Sequence, residues 1–595
     1  MDKSRFNPHY LKATNPLIFA IAQKGSSIDG LRSELSGLVH QMEFNATQDV
    51  THRDVASLAR VRDCAQVLKN MLKKRADDLA GFSMVQAIWD IGTNTPRPDL
   101  GPAFYAELLY LLRGLEGQGP RKAFENVHLS GISQLKGRPA SIERSAQLDD
   151  LGAEINRWLP RYPYGLHKEA VKRRKGRRDK ILKVLGASLK EWQDWHWQIK
   201  HIVRDVESLD RLVQLTAQQK QAVTKACQNR LPFGITPYYL SLMDEELSDR
   251  DASVRAQVLP PMDYVMRLSA VQDRSSLDFM REEDTSPFDL ITRRYPAICI
   301  LKPFNTCPQI CVYCQRNWEI DEAMDSKAFA GMDQIEAAIK WIGDHPAIHE
   351  VLITGGDPVA MEDATLLDIL EKVAAIPTVE RIRIGTRTPV TIPMRITPEL
   401  ADIVGRFREL GKREVCVVTH VQHPYEITPD MVTAINQFRM RGIPVYNQLV
   451  YTFYISKRFA AVALRRYLRL IGIESYYTFN TKGKEETLTY RVPLARLMQE
   501  QQEEARLMPG IVRSDEAVIN LPRLGKHYLK LREQRDLLSI LRDGSRVYEF
   551  LSWEKNISEN TPTYVYTDVP ILDYLERLEQ VGETVSDYET VWYYF

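Results

Sequence analysis

The chain has 595 residues, with 79 lysines and arginines against 78 aspartates and glutamates, for a formal net charge of +1. That length is too great for one hydrophobic core and predicts two to four domains, while the near-neutral balance excludes a global field drawing the protein to nucleic acid or to an anionic membrane. Seven cysteines, odd in number and partly clustered, exclude a disulfide scaffold and predict a reducing, cytoplasmic setting.

Residues 1–20 carry no long apolar core ending in a cleavage site, so no secretory leader is expected, and no apolar run reaches the roughly 18 residues that span a bilayer. From 16 to 189 apolar residues recur at three and four, as in 55–72 and 102–115, broken by Gly and Pro clusters. This predicts a helical N-terminal domain over 1–190, of unreadable role. Near its end lies Lys172-Arg173-Arg174-Lys175-Gly176-Arg177-Arg178. We read that basic run as a solvated linker or helix face in preference to a phosphate-binding stripe, so nucleic acid is not an expected partner. A helical lead-in follows over 191–297.

From 298 the rhythm becomes strand then helix, repeated. Strands are predicted at 298–302, 350–354, 381–384, 414–419, 444–450 and 475–480, with helix-period stretches at 334–343, 365–375, 398–410, 429–441 and 457–471 between them. Six such units predict an α/β fold, a partial (β/α)6 TIM-like barrel over 298–530 behind the helical N-terminal region. The remainder, 531–595, ends in an aromatic-rich tail suited to packing or to pairing with another subunit. In a parallel barrel the reactive groups gather where the loops leave the C-terminal ends of the strands. The predicted strands carry such residues in turn: the cysteines 307, 311 and 314 after the first, then Gly355-Gly356-Asp357, Gly385-Thr386-Arg387, and His420 and His423, with Asn447-Gln448 inside the fifth and Asn480-Thr481-Lys482 at the end of the sixth.

Cys307, Cys311 and Cys314 form C-x-x-x-C-x-x-C, with Tyr313 before the last cysteine. A [4Fe-4S] cube needs four ligands, so a three-cysteine loop leaves one iron open to a small molecule. The alternatives are a Cys3His zinc site using His420 or His423 and a chance cluster. Zinc ribbons, however, usually pair two C-x-x-C knuckles. Arg316, two residues past the triad, suits bidentate grip of a carboxylate.

These residues resemble the radical S-adenosylmethionine (SAM) enzymes. The segments 192–198 (WQDWHWQ), 235–242 (ITPYYLSL), 283–287 (EDTSP), Arg294-Tyr295-Pro296, 352–358 (LITGGDP), 383–400 (RIGTRTPVTIPMRITPEL), 419–428 (THVQHPYEIT) and 442–448 (GIPVYNQ) narrow the resemblance to the lysine 2,3-aminomutase family, over 192–526. The resemblance implies a [4Fe-4S] cluster on Cys307, Cys311 and Cys314, with Tyr313, the Gly355-Gly356-Asp357 turn and Gln448 near SAM. It also implies pyridoxal 5′-phosphate (PLP) contacted by Arg294 and Tyr295, and Arg316 on the substrate α-carboxylate. Lys526, after a turn that keeps the family's Pro522, Gly525 and lysine but loses its other glycines, is the Schiff-base candidate. The implied reaction is an isomerisation: a SAM-derived radical takes hydrogen from the β-carbon while PLP carries the migrating nitrogen. A low-potential electron donor such as flavodoxin or ferredoxin and a homo-oligomer are expected on the same ground.

Substrate choice is read from the departures. Where the lysine enzymes hold the side-chain ammonium with two aspartates, this chain has Lys482 and Asn520. A cation and an amide suit a carboxylate, and like charge disfavours lysine by several kcal/mol. The same exchanges mark glutamate 2,3-aminomutases, so L-glutamate or a similar acidic amino acid is the expected substrate. Lysine is the alternative, and a scaffold or carrier-binding protein with an accessory barrel is the non-enzyme alternative. With no cysteine after Cys416, the late structural zinc of lysine enzymes is not expected.

Overall fold

A computed structural model of the protein describes all residues except 1–2, 49–53, 121–134, 482–484 and 506. Nine strands form one sheet in chain order: β1 (Ile291–Tyr295), β2 (Ile298–Phe304), β3 (Glu350–Gly355), β4 (Arg381–Gly385), β5 (Glu414–Thr419), β6 (Val445–Tyr451), β7 (Ile473–Asn480), β8 (Glu516–Leu521) and β9 (Gly525–Tyr528). β2 to β8 run parallel, and β1 and β9 are antiparallel flanks. The six expected strands are present. The sheet adds a seventh parallel strand and two antiparallel ones.

The two edge strands meet. The hydroxyl of Tyr295 on β1 accepts the backbone N–H of Lys526 on β9 at 2.8 Å, so the sheet curls into a nearly closed barrel. Its period-2 pattern places one face under helices and the other toward the lumen. Val351 and Ile353 of β3 are fully buried, while Glu350, Leu352 and Thr354 are half-buried. On β6 the same alternation leaves Tyr446, Gln448 and Val450 half-buried. The covering helices include Met332–Gly343, Asp363–Ala374, Pro398–Gly405, Pro429–Met440 and Ala460–Leu470. Two of them start at Thr-Pro steps, where Thr397 caps Leu400 N and Thr428 caps Met431 N, with the proline at the first helical position.

The basic run is not a linker. It lies in a helix, Lys168–Leu185, with Arg174 and Arg177 buried. Arg174 donates to the carbonyls of Gly165 and Tyr425, and Arg177 to those of Met243 and Leu212, so these cations tie the helix to its neighbours.

Past the barrel, β10 (Arg535–Ile540), β11 (Arg546–Leu551) and β12 (Thr563–Thr567) form a small antiparallel sheet. It and the aromatic tail pack on the N-terminal helices of the same chain. Tyr110 stacks on Trp592 at 4.7 Å, Arg75 clasps Glu549 through two bonds of 2.5 and 2.6 Å, and Arg546 meets Glu107 at 2.9 Å with both side chains buried. Breaking such a buried pair from one side typically costs about 3–5 kcal/mol, so these contacts weld the two ends of the chain into one body. No described helix is long and apolar enough to cross a membrane.

Candidate active site

The cysteine loop leaves the C-terminal end of β2 and is clamped to the loop after β3. Gly356 N donates to Phe304 O at 2.8 Å and Asp357 N to Thr306 O at 2.9 Å. A Cβ on Gly356 would stand 1.9 Å from the Thr306 carbonyl oxygen, so only glycine permits the approach. The Asp357 carboxylate turns inward. It accepts from the Thr386 hydroxyl at 2.7 Å, from the Thr388 hydroxyl at 2.9 Å, and from the N–H groups of Val359, Arg387 and Thr388. Its side chain therefore fixes the turn, and what the turn offers a ligand is backbone around Gly355.

The three thiols lie near enough to bear on one another's charge. Withdrawal from water raises those of Cys307 and Cys311, and the Arg387 guanidinium, 2.7 Å from Cys311 Sγ, opposes this. Among the described residues no three His, Cys, Asp or Glu side chains converge closely enough for a single metal ion. The zinc alternative needs His420 or His423 as its fourth ligand. Both histidines are engaged elsewhere. His423 Nδ1 accepts Tyr425 N at 3.1 Å, and His420 Nδ1 lies 2.7 Å from the Gln448 carbonyl. That carbonyl requires a proton on His420 Nδ1, so His420 Nε2 accepts from the Tyr313 hydroxyl at 2.9 Å. Burial and then Arg387 push His420 down to about 4, keeping it neutral. Tyr313 and Gln448 are thus brought together through one imidazole.

At the seam between β1 and β9, the Lys526 amine lies 5.1 Å from the Tyr295 ring centre and 5.0 Å from that of Tyr477. Burial, then Arg383 and Arg294, bring the amine down to about 8. Gly525 (φ 76°) precedes it, and a Cβ there would meet the Tyr295 hydroxyl at 2.5 Å, which accounts for the retained glycine. Asn520 is the cross-strand partner of Lys526 and is half-buried on the same face of the sheet. Lys482 lies outside the described residues.

Sequence reasoning missed the residue that joins the two halves. Glu282 is 3% exposed, and its Oε1 accepts from Arg316 at 2.7 Å, Lys302 at 3.3 Å and the Thr292 hydroxyl at 2.8 Å, with Arg294 3.4 Å from Oε2. Burial works against its charge, but Arg316 and Lys302 outweigh that and hold the carboxyl down at about 2. Arg316 N in turn donates to Cys314 Sγ at 3.3 Å. Tyr295 and Arg294 are neighbours on β1, so through that one backbone step a path runs from Lys526 by way of Tyr295, Arg294, Glu282 and Arg316 to the cysteines. The one available signal was position: Glu282 stands directly before the EDTSP segment. Lys302, a cation on the lumen face of β2, carried no signal at all.

Comparison with known proteins places this barrel first by class. The radical SAM superfamily pattern matches residues 301–451, so the barrel is a radical SAM domain. The chain is 39% identical to an uncharacterized KamA family protein of Methanocaldococcus jannaschii over 98% of its own length and 96% of that protein. It is 32% identical to a glutamate 2,3-aminomutase of Clostridioides difficile, covering 58% of this chain and 78% of that one. It is also 32% identical to an L-lysine 2,3-aminomutase of Fusobacterium nucleatum subsp. nucleatum, covering 51% and 69%. The chain belongs to the KamA family.

Membership carries the [4Fe-4S] cluster and SAM of the superfamily and the PLP of the family's aminomutases. The residues present fit these groups. Three thiols on one short loop, leaving a fourth position open, are a cluster donor set. A buried amine held below the ordinary lysine range, with the cation Arg294 nearby, suits an aldehyde that bears a phosphate.

Proposed function

We propose that the protein is a 2,3-aminomutase that moves the α-amino group of an acidic amino acid, L-glutamate foremost, to its β-carbon. The observation that carries this reading is the path between the Lys526 amine and the cysteine triad across one lumen. When bound, the cluster and SAM supply a hydrogen-abstracting radical and PLP supplies a π system for the migrating nitrogen.

The chain's own residues do the rest. Lys526 is neutral in a usable fraction at neutral pH and so can act as a nucleophile. Arg294 offers a cation to the PLP phosphate, and Tyr295 fixes the Lys526 backbone and walls the amine. Arg316, pinned by Glu282 and by its own N–H at Cys314, offers its guanidinium to the α-carboxylate, which would place the β-carbon beside the cluster. The nearly closed sheet keeps water from the reacting atoms.

Glutamate is favoured over lysine by the balance of charge. Where the lysine enzymes of the family are expected to carry two aspartates, this chain has Lys482 and Asn520, a cation and an amide expected to meet the substrate's side chain. An ammonium side chain meeting that cation is opposed by several kcal/mol, and a carboxylate is drawn in. The amide of Asn520 beside Lys526 can donate to a carboxylate oxygen. A glutamate 2,3-aminomutase and a lysine 2,3-aminomutase resemble the chain at the same 32% identity, so the support for glutamate is the exchange at Lys482 and Asn520.

The test is anaerobic turnover of the reconstituted full-length protein with SAM, PLP and a strong reductant, offered L-glutamate and L-lysine in equal amount. β-Glutamate as the dominant product supports the reading. β-Lysine would retain the chemistry and overturn the substrate, and SAM cleavage with neither product would overturn both amino acids.

A further inference from the structure

Arg387 is unused by the chemistry above, yet the structure constrains it tightly. It follows β4 with its side chain 11% exposed, and its Nη1 donates to Cys311 Sγ at 2.7 Å. Nη2 donates to Glu426 at 2.9 Å, to the Tyr239 hydroxyl at 3.5 Å and to Gln257 Oε1. The backbone N–H of Arg387 is bound by Asp357 at 2.9 Å, and the guanidinium lies 5.6 Å from the Tyr239 ring centre. Held from these sides, the guanidinium cannot swing away from the sulfur. Glu426, itself buried, accepts from Tyr239 at 2.7 Å, Gln257 at 3.1 Å, Gln422 N at 2.6 Å and His423 N at 3.0 Å, so it remains an anion fixed behind the arginine.

One-electron reduction by a low-potential donor adds one negative charge to a cluster. Hydrogen bonds to a ligand sulfur and nearby net charge are two of the protein's levers on that step. Both point the same way here. A full positive charge at hydrogen-bond distance from Cys311 Sγ, in a site withdrawn from water, stabilises the reduced cluster more than the oxidised one.

We propose that Arg387 raises the reduction potential of the cluster through its bond to Cys311, and that Glu426, as its counter-anion, offsets part of that effect. The inference rests on the cysteine triad holding a [4Fe-4S] cluster.

The experiment compares reconstituted full-length wild type with Arg387→Gln, Arg387→Lys and Glu426→Gln in a redox titration followed by the electron paramagnetic resonance of the reduced cluster, without SAM or substrate. At equal iron content, Arg387→Gln shifts the midpoint to more negative potential, Arg387→Lys stays near wild type, and Glu426→Gln shifts it to more positive potential. A purely structural disturbance would move both neutral variants the same way. The proposal is overturned if they do so, or if Arg387→Gln titrates with wild type. If Arg387→Gln takes up no iron, the shifts of Arg387→Lys and Glu426→Gln decide. Failure of all three variants to load while wild type loads would make the network structural and overturn the proposal. A wild type that binds no cluster would instead refute the reading on which it rests.

Discussion

The Lys526 amine offers the most quantitative test of the lumen. Its surroundings lower it from 10.5 to about 8. At pH 7 an ordinary lysine would be neutral in about one molecule in 3,000 and this one in about one in ten, a gain of roughly 300-fold in the nucleophilic form. Mixing the PLP-free protein with PLP across the range from about pH 6 to about pH 10 and following the visible absorption of the Schiff base measures that fraction. The capture rate should rise tenfold per pH unit and level off near pH 8. In Arg383→Met the levelling point moves to higher pH, because the variant removes a cation that opposes the ammonium and frees the Glu350 carboxylate that favours it. A rate that climbs with unit slope beyond about pH 9.5 would refute the reasoning, since Lys526 would then behave as a solvated lysine.

Two further outcomes follow from the same geometry. Glu282→Gln leaves Arg294, Lys302 and Arg316 facing one another without their anion and should lower unfolding free energy by about 3–5 kcal/mol in urea titration. In the wild type that contribution is fully present above the ordinary glutamate value of 4.5 and is lost only as pH falls toward about 2. Gly356→Ala forces a Cβ to 1.9 Å from Thr306 O, so the cysteine loop must part from the β3 turn, and iron content after reconstitution should fall well below one cluster per chain while the far-ultraviolet dichroism is kept.

What was legible in the sequence were the elements whose local pattern agrees with the fold. Ile298 to Leu301 and Val351 to Ile353 are short apolar runs followed by their reactive loops, so both strands and the cysteine site could be read together. The flanks could not. β1 is Ile-Thr-Arg-Arg-Tyr and β9 is Gly-Lys-His-Tyr, short and polar because one face of each is part of the site. Glu516–Leu521 follows an irregular stretch and was noticed only for Asn520. Glu282 lies in an acidic run that reads as a solvated turn, and only closure of the barrel folds its carboxylate among three cations. Arg174 and Arg177 show the converse error, because a run of cations gives no sign of which members find carbonyls to bury against. Asp357 was expected near SAM as part of its turn, and its five hydrogen bonds could not be inferred from Gly-Gly-Asp alone.

The central claim is that nitrogen moves within one acidic amino acid in this lumen. The most direct measurement supplies L-glutamate labelled with 15N to the anaerobic, reconstituted protein in a large excess of unlabelled ammonia and reads the isotope in the β-amino product. Full retention of 15N in β-glutamate is predicted, because the amine stays bound throughout. Unlabelled β-glutamate would mean elimination and re-addition of ammonia, and absence of any β-amino product from glutamate would contradict the account.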